Sequence, residues 1–274
     1  MTQNTRVRYE SKIKLCCGVG GSMLETVGVS KRFGGMTAVD DVSFKVERGG
    51  IVGLIGPNGA GKTTMFNLIA GALRPSGGRI LLDGRAVERR PAEARIGLGL
   101  GRTFQIPRPF ADMTVLENLL LSAQAQAGER IMPNWFRSGA VARQERALLA
   151  KARELLDFLA LSAMINEPAR ILSGGQRKLL ELARVMMAGP AIILLDEPAA
   201  GVNPALLETI IARIGEINSR GVTFLIIEHN MDVVARLCRK VVVMAGGRLL
   251  CEGTAAEVAS DGRVIDAYLG GAAA

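Results

Sequence analysis

The chain contains a single histidine, His229, although it carries 34 Lys and Arg among its 274 residues. Its four cysteines, Cys16, Cys17, Cys238 and Cys251, form no CxxC pair. With no Cys/His cluster to hold it, a zinc site is excluded, and the thiols read as reduced cysteines of the cytoplasm. Aromatic residues make up only 4% of the chain, so no stacking platform or recognition-helix pattern for nucleic acid is formed. The net charge of +8 would suit any anionic partner. Its basic residues are scattered, however, which reads as a solvated surface, and no nucleic-acid partner is expected. Apolar runs are short: the longest, "AIILL" and "VTFLII", have the length of buried strands and fall far below the roughly 18–20 residues that span a bilayer. If the protein works at a membrane, another chain must cross it. Arg6, Arg8, Lys12 and Lys14 precede no apolar segment, so no secretory signal is read there. Residues 1–22 read as a poorly ordered extension, with Met23 an alternative start, and 271–274 as a short tail.

What is present is a large apolar fraction, 49%, enough for a substantial core. From Val27 to Val46 apolar and polar residues alternate in short runs broken by Gly, which predicts antiparallel strands. "GGIVGLIG" (49–56) reads as a buried strand running into a Gly-rich turn, and "KTTMFNLIAGAL" (62–73) as a helix. Short strands flank the Asp83-Gly84 turn. Residues 112–164, rich in Ala, Leu, Glu, Arg and Gln, read as mostly helix, interrupted near the only tryptophan, Trp135. Strands and helices then alternate: strand 191–195, helix about 204–219, strand 222–227, helix about 231–237, strand 240–244. This alternation predicts an α/β fold with a mostly parallel core sheet covered on both faces. An antiparallel β subdomain accompanies it, and an α-helical subdomain is inserted at about 106–172. The whole unit is placed at 23–270.

Three segments carry chemistry. "GPNGAGKTT" (56–64) fits the phosphate-loop pattern in the required context, with a strand before it and a helix after it. Gly56, Pro57, Asn58, Gly59, Ala60 and Gly61 curl the backbone so that N–H groups point at one phosphate chain, and the helix adds its positive end. Lys62 reaches the β- and γ-phosphates, Thr63 offers a hydroxyl to Mg²⁺, and Thr64 completes the first turn. "IILLDE" (192–197) is an apolar strand ending in two carboxylates. In open α/β sheets ligands sit beyond such strand ends, which places Asp196 to hold the Mg²⁺ of a nucleotide and Glu197 to face the attacking water. "LSGGQ" (172–176) opens a helix: Ser173 is a good N-cap, and Gly174 and Gly175, followed by Gln176, expose backbone N–H groups at a second anion-binding helix start. Alone it would read as an ordinary cap.

The order phosphate loop, "RTFQ", "LSGGQ", "LLDEP" and then a His after an apolar strand resembles the ATP-binding-cassette (ABC) ATPases, over nearly everything from Met23 onward. The resemblance implies that two ATPase subunits sandwich two ATP molecules, each between the phosphate loop of one chain and the "LSGGQ" of the other. It places Phe33 to stack on adenine, where the family more often has Tyr, with a core phenylalanine as the plainer alternative. Gln105 in "RTFQ" matches the glutamine that senses Mg²⁺ or water and links the site to the helical subdomain. His229 matches the switch histidine that contacts the γ-phosphate. The sequence departs from the family in "AAGVNP", where Asn203 stands at a place often held by Asp.

"RFGGMTAVDDVSF", "GRTFQIPRPFADMTVLENLLL", "LSGGQRKLLELAR", "EPAAGVNP" and the end "VIDAYLG" look like the ATPases of branched-chain amino acid importers. Those of lipopolysaccharide export and of amide or urea import are close alternatives. The resemblance implies ATP and Mg²⁺ as cofactors and two transmembrane permeases and a second ATPase subunit as partners. A periplasmic binding protein would be engaged indirectly, and the location would be the cytoplasmic face of the inner membrane. The rival from another class is a soluble ABC ATPase acting on ribosomes or nucleic acid, which usually carries two cassettes or a long coiled-coil insert. This chain has one cassette and no sustained heptads.

Overall fold

A computed structural model describes residues 21–103, 109–124 and 138–270. Strands β1 (Ser22–Phe33) and β2 (Met36–Glu47) form a long antiparallel hairpin, joined by β4 (Gly77–Leu82) and β5 (Arg85–Ala86) in a four-stranded sheet of order β2-β1-β4-β5. The hairpin begins five residues before the expected Val27, because Gly28 does not break it. At φ 60° Gly28 sits in the left-handed region, and the register shifts between Thr26 and Val29, so the glycine makes a bulge within one strand.

The second sheet has six strands in the order β10-β9-β3-β8-β7-β6. Strands β3 (Ile51–Ile55), β6 (Leu100–Arg102), β7 (Ile192–Asp196), β8 (Thr223–Ile227) and β9 (Lys240–Ala245) run parallel, and only β10 (Arg248–Gly253) runs antiparallel, on β9. All residues of β3, β7 and β8 are buried, as expected for parallel strands covered on both faces. Side chains alternate between two cores. Ile193, Leu195, Phe224 and Ile226 face the core shared with most of the helices; Ile192, Leu194, Leu225 and Ile227 face the core under the antiparallel sheet. Strands β6 and β10 were not expected from the sequence. At three residues, β6 is too short to show a period.

Helix α1 (Lys62–Ala70) stops three residues before the expected end, at Gly71, whose φ of 84° gives a left-handed cap. After α2 (Ala92–Ile96), the described residues between β6 and β7 form the α-helices α3 (Val115–Leu120), α4 (Ser138–Phe158) and α5 (Gly174–Met187), packed on one another. Helices α6 (Pro204–Ser219) and α7 (Met231–Leu237) match the expected spans, and α8 (Ala255–Ser260) and α9 (Gly262–Gly270) end the described residues. Cys238 and Cys251 are free thiols. Burial pushes the Cys238 thiol up to about 12, so it behaves as a core residue against Gly53. Among the described residues no helix is long and apolar enough to cross a membrane. Trp135 lies outside the described residues.

Candidate active site

Strand order decides which loops meet. Strand β8 lies between β3 and β7, with Leu54 and Asp196 both opposite Ile227. The parallel strands therefore deliver the phosphate loop, the paired carboxylates and His229 to one edge of the sheet.

The loop leaves β3 at Gly56, whose φ is 148°; a Cβ there would lie 2.0 Å from the Met244 carbonyl oxygen. At Gly61, φ 93°, a Cβ would lie 2.5 Å from the Ala38 oxygen. Only glycine lets the loop pass between β9 and β2 at both points. Ala60 closes a turn by donating its N–H to Pro57 O at 3.2 Å, and Gly59 (φ 79°) adds a second left-handed bend after Asn58. Lys62, Thr63 and Thr64 open α1. Its first turn contains no acidic residue to compete for the free amides, so the positive helix end is open to an anion. Lys62 is buried, and its Nζ donates to Gly56 O at 2.7 Å and Pro57 O at 2.9 Å, folded along the loop. Burial pulls its ammonium below the ordinary value, while Glu197 and Asp196 push it back up.

Asp196, 6% exposed, ends β7. Its N–H donates to Thr103 Oγ1 at 3.3 Å, and Arg102 Nη2 lies 3.8 Å from its Oδ2. Burial pushes its carboxyl above the ordinary carboxylate range, Arg102 pulls it down and the neighbouring Glu197 pushes it up further. Because the folded value is raised, the ionised carboxylate costs stability at neutral pH. That cost disappears below the unfolded value of about 3.9, where both states are protonated. Nucleotide-free Asp196→Asn protein is therefore expected to have a higher Tm than the parent at pH 8. The gain should shrink as the pH falls through the raised folded value toward the unfolded one. A difference independent of pH in thermal unfolding would show that the charge is not its source.

Among the described residues Glu197 is one of four non-glycine residues with positive φ, at 48°, a conformation that costs on the order of 1–3 kcal/mol and concentrates at functional positions. Its N–H donates to Ile227 O at 2.9 Å, and its carbonyl accepts from Lys178 Nζ. His229 Nε2 lies 3.0 Å from Glu197 Oε1, with the imidazole side chain 40% exposed and the carboxylate side chain 18%. The lone histidine is thus set on the strained carboxylate and is not a core residue.

Ser173 caps α5. Its Oγ accepts the Gln176 N–H at 3.2 Å, and Gln176 Oε1 accepts the Ser173 N–H at 2.9 Å. A Cβ on Gly175 would meet Leu206 Cδ2 at 2.1 Å, and one on Gly174 would lie 3.7 Å from the Gly201 oxygen. The neighbours of this segment are therefore the start of α6 and the loop before it. Asn203 is the cap of α6, its Oδ1 accepting the Leu206 N–H at 2.8 Å. Phe33, 43% exposed at the tip of β1, is not a core residue, and Lys31 Nζ lies 5.0 Å from its ring centroid. Gln105 lies outside the described residues.

Thr63 and Asp196 offer a hydroxyl and a carboxylate, hard oxygen donors of the kind that suit Mg²⁺, which keeps waters and substrate phosphates in its shell. Among the described residues no group of three or more His, Cys, Asp or Glu could cage a metal by itself. The donor set fits a nucleotide-bound magnesium. Four further residues enter the site in roles that no motif assigned to them: Arg102 and Thr103, which open "RTFQ", on Asp196, Lys178, within "LSGGQRKLLELAR", on Glu197, and Glu228, which is buried. For Glu228 the sequence holds one signal, a carboxylate placed directly after the apolar run Val222 to Ile227.

This fold and this edge define a phosphate-loop nucleotide-binding protein. Residues 39–200 match the ABC transporter family, and residues 248–274 match the branched-chain amino acid ATP-binding cassette transporter family. The chain is 41% identical over 248 residues to the probable branched-chain amino acid transport ATP-binding protein LivG of Archaeoglobus fulgidus, covering 90% of this chain and 95% of that one. It is 41% identical over 249 residues to the high-affinity branched-chain amino acid transport ATP-binding protein BraF of Pseudomonas aeruginosa, covering 90% and 98%. A crystal structure of an ATP-binding cassette of an ABC transporter in its ADP conformation superposes with a TM-score of 0.79 at 36% identity, covering 92% of this chain and all of that one. The chain belongs to the ABC transporter ATP-binding family. It is an ATPase of the kind that dimerises and works with membrane permease partners.

Proposed function

We propose that this ATPase powers an importer of branched-chain amino acids from the cytoplasmic face of the inner membrane, bound to two permeases and a second ATPase subunit. The observation that carries the catalytic reading is the 3.0 Å contact of His229 with Glu197, at the sheet edge shared with the phosphate loop. The cargo reading rests on the named relatives, since amino acids are selected by the permeases and the periplasmic binding protein.

In this reading ATP lies with its phosphates against residues 56–64 and its adenine on Phe33. The signature segment of the partner ATPase closes over the γ-phosphate, as Ser173 to Gln176 of this chain closes over the partner's. The capping box engages the Ser173 and Gln176 side chains with each other's backbone N–H groups before the partner arrives. Lys62 turns from the loop carbonyls to the β- and γ-phosphates. Thr63, Asp196 and Gln105 would hold Mg²⁺, which would supply charge neutralisation for those phosphates. Glu197 orients and deprotonates the attacking water, and His229 holds that carboxylate and donates to the γ-phosphate. Phosphoryl transfer needs positioning and charge stabilisation more than covalent help from the protein, which is what this set of groups provides.

The division of the chain into a unit at 23–270 with an inserted helical part near 106–172 gives the motion its lever. A groove of about 260 Å³ opens between α2–β6 and the inserted helices, lined by Ile96, Arg102, Ser122, Gln124, Arg184 and Val185. Exposed Ile96 ends α2, exposed Leu121 caps the end of α3, and the exposed Phe110 ring lies 5.6 Å from the Arg184 guanidinium. This groove is the surface proposed to receive the permease.

The test is capture of Glu197→Gln protein with ATP from detergent-solubilised membranes, followed by mass spectrometry. Two polytopic permeases and a sister ATPase are expected. Lipopolysaccharide-export components would overturn the cargo and the direction. Ribosomal or nucleic-acid partners without any membrane protein would overturn the proposed importer as a whole.

A further inference from the structure

The sheet ladder between the two loops that carry Glu197 and His229 ends with the Glu197 N–H on Ile227 O, at 2.9 Å. Beyond it the chains diverge, one into Pro198 and Ala199, the other into Glu228 and His229. The Glu228 side chain, 3% exposed, spans the gap. Its Oε1 accepts the Ala199 N–H at 2.7 Å, and its Oε2 accepts the N–H groups of His229 at 3.0 Å and Asn230 at 3.3 Å. One carboxylate thus takes up backbone donors that the ladder no longer satisfies, on both loops at once, through charge-assisted bonds. Lys178 supplies a half-buried positive charge that interacts with Glu228 and Glu197, and its Nζ also grips the Glu197 carbonyl.

We propose that Glu228 is the positioning residue of the active site: its carboxylate fixes the two loops against each other and so sets the His229–Glu197 contact on which hydrolysis depends. Glu228 has no need to touch nucleotide. It acts through the two residues it places, and the inference rests on the catalytic reading of Glu197 and His229 given above. A catalytic group displaced by about 1 Å can cost on the order of 10²-fold in rate. Gln at 228 keeps one acceptor oxygen but turns an amide N–H₂ toward backbone donors, so one of the two loops is released. Asp keeps the charge and both oxygens but is shorter by one methylene and cannot reach both loops.

The test is steady-state and single-turnover ATP hydrolysis by full-length Glu228→Gln and Glu228→Asp proteins, alone and combined with His229→Ala, with nucleotide affinity and thermal unfolding measured in parallel. Both single variants are expected to lower kcat about 10- to 100-fold, with KM and nucleotide Kd within about threefold of the parent, the signature of an interaction expressed only in the transition state. In the His229→Ala background the same substitutions are expected to cost less than about threefold, because the geometry they disturb no longer serves catalysis. Parent-like kcat in both single variants would overturn the proposal. So would full, independent losses added to those of His229→Ala, which would assign Glu228 a merely structural role. If Glu228→Gln is too unstable to assay, the Glu228→Asp series decides by the same criteria. Unchanged turnover in Glu197→Gln and His229→Ala themselves would instead overturn the catalytic reading beneath the proposal, and the two failures are distinguished by those controls.

Discussion

Glu197→Gln protein is expected to hydrolyse ATP about 10²–10⁴-fold more slowly than the parent, a loss of about 3–5 kcal/mol of barrier lowering, the scale of removing a general base. The amide copies the carboxylate in shape and keeps an oxygen for the His229 contact. The left-handed backbone at 197 is held by its own N–H on the Ile227 carbonyl and by its own carbonyl, which accepts from Lys178, two backbone bonds that the substitution leaves in place. The substitution therefore removes basicity and leaves the loop in place. ATP should remain bound and hold the dimer closed. Phosphate release at saturating Mg-ATP, together with sizing in the presence of ATP, checks both halves of the expectation. Turnover equal to that of the parent would remove Glu197 from the role of base.

His229→Ala is expected to leave ATP affinity within a factor of a few while hydrolysis falls by about 10²–10³-fold, the scale of losing one preorganised donor at a developing charge. The separation follows from where the ring lies. At 40% side-chain exposure it fills no core space, so truncation leaves no buried cavity and the protein should stay folded. The groups proposed to bind nucleotide, residues 56–64 and Phe33, lie on other elements. Binding by equilibrium titration and turnover under the same conditions separate the two effects. An equal loss of both would make His229 a structural residue.

The two substitutions act on partners in one contact, so their effects should not add. The double variant is expected to be about as slow as the slower single one, as for catalytic residues that act as a unit.

Much of this site is legible along the chain. The phosphate loop announces itself because its chemistry is local: Gly56 and Gly61 must be glycine where backbone passes backbone, and Lys62 and Thr63 must follow at fixed steps into the helix. "LSGGQ" is local in the same way, its capping box closing within four residues, and Asp196 and Glu197 are marked by the apolar run that ends on them. The spans of β7, α6, β8, α7 and β9 followed from periodicity and length. Strand β6 was missed because three residues carry no period, and the end of α1 was misplaced because Gly71 stops the helix inside an apolar run. Asn203 reads in the sequence as a missing charge, whereas in the fold its side-chain oxygen caps α6.

The sequence by itself determined the chemical inventory, a phosphate cradle, hard oxygen donors, one strand-end glutamate and one imidazole, because each is fixed by covalent spacing over a few residues. Only the tertiary structure decided their company. Strand β8, late in the chain, inserts between β3 and β7, and that order brings His229 onto Glu197 across 32 positions of sequence. The positive φ of Glu197 and the three backbone donors gathered by Glu228 depend on the same crossing. Parallel strands are joined through long connections, so which of them become neighbours is settled by how the two faces of the sheet bury their apolar side chains, and no local pattern records that choice.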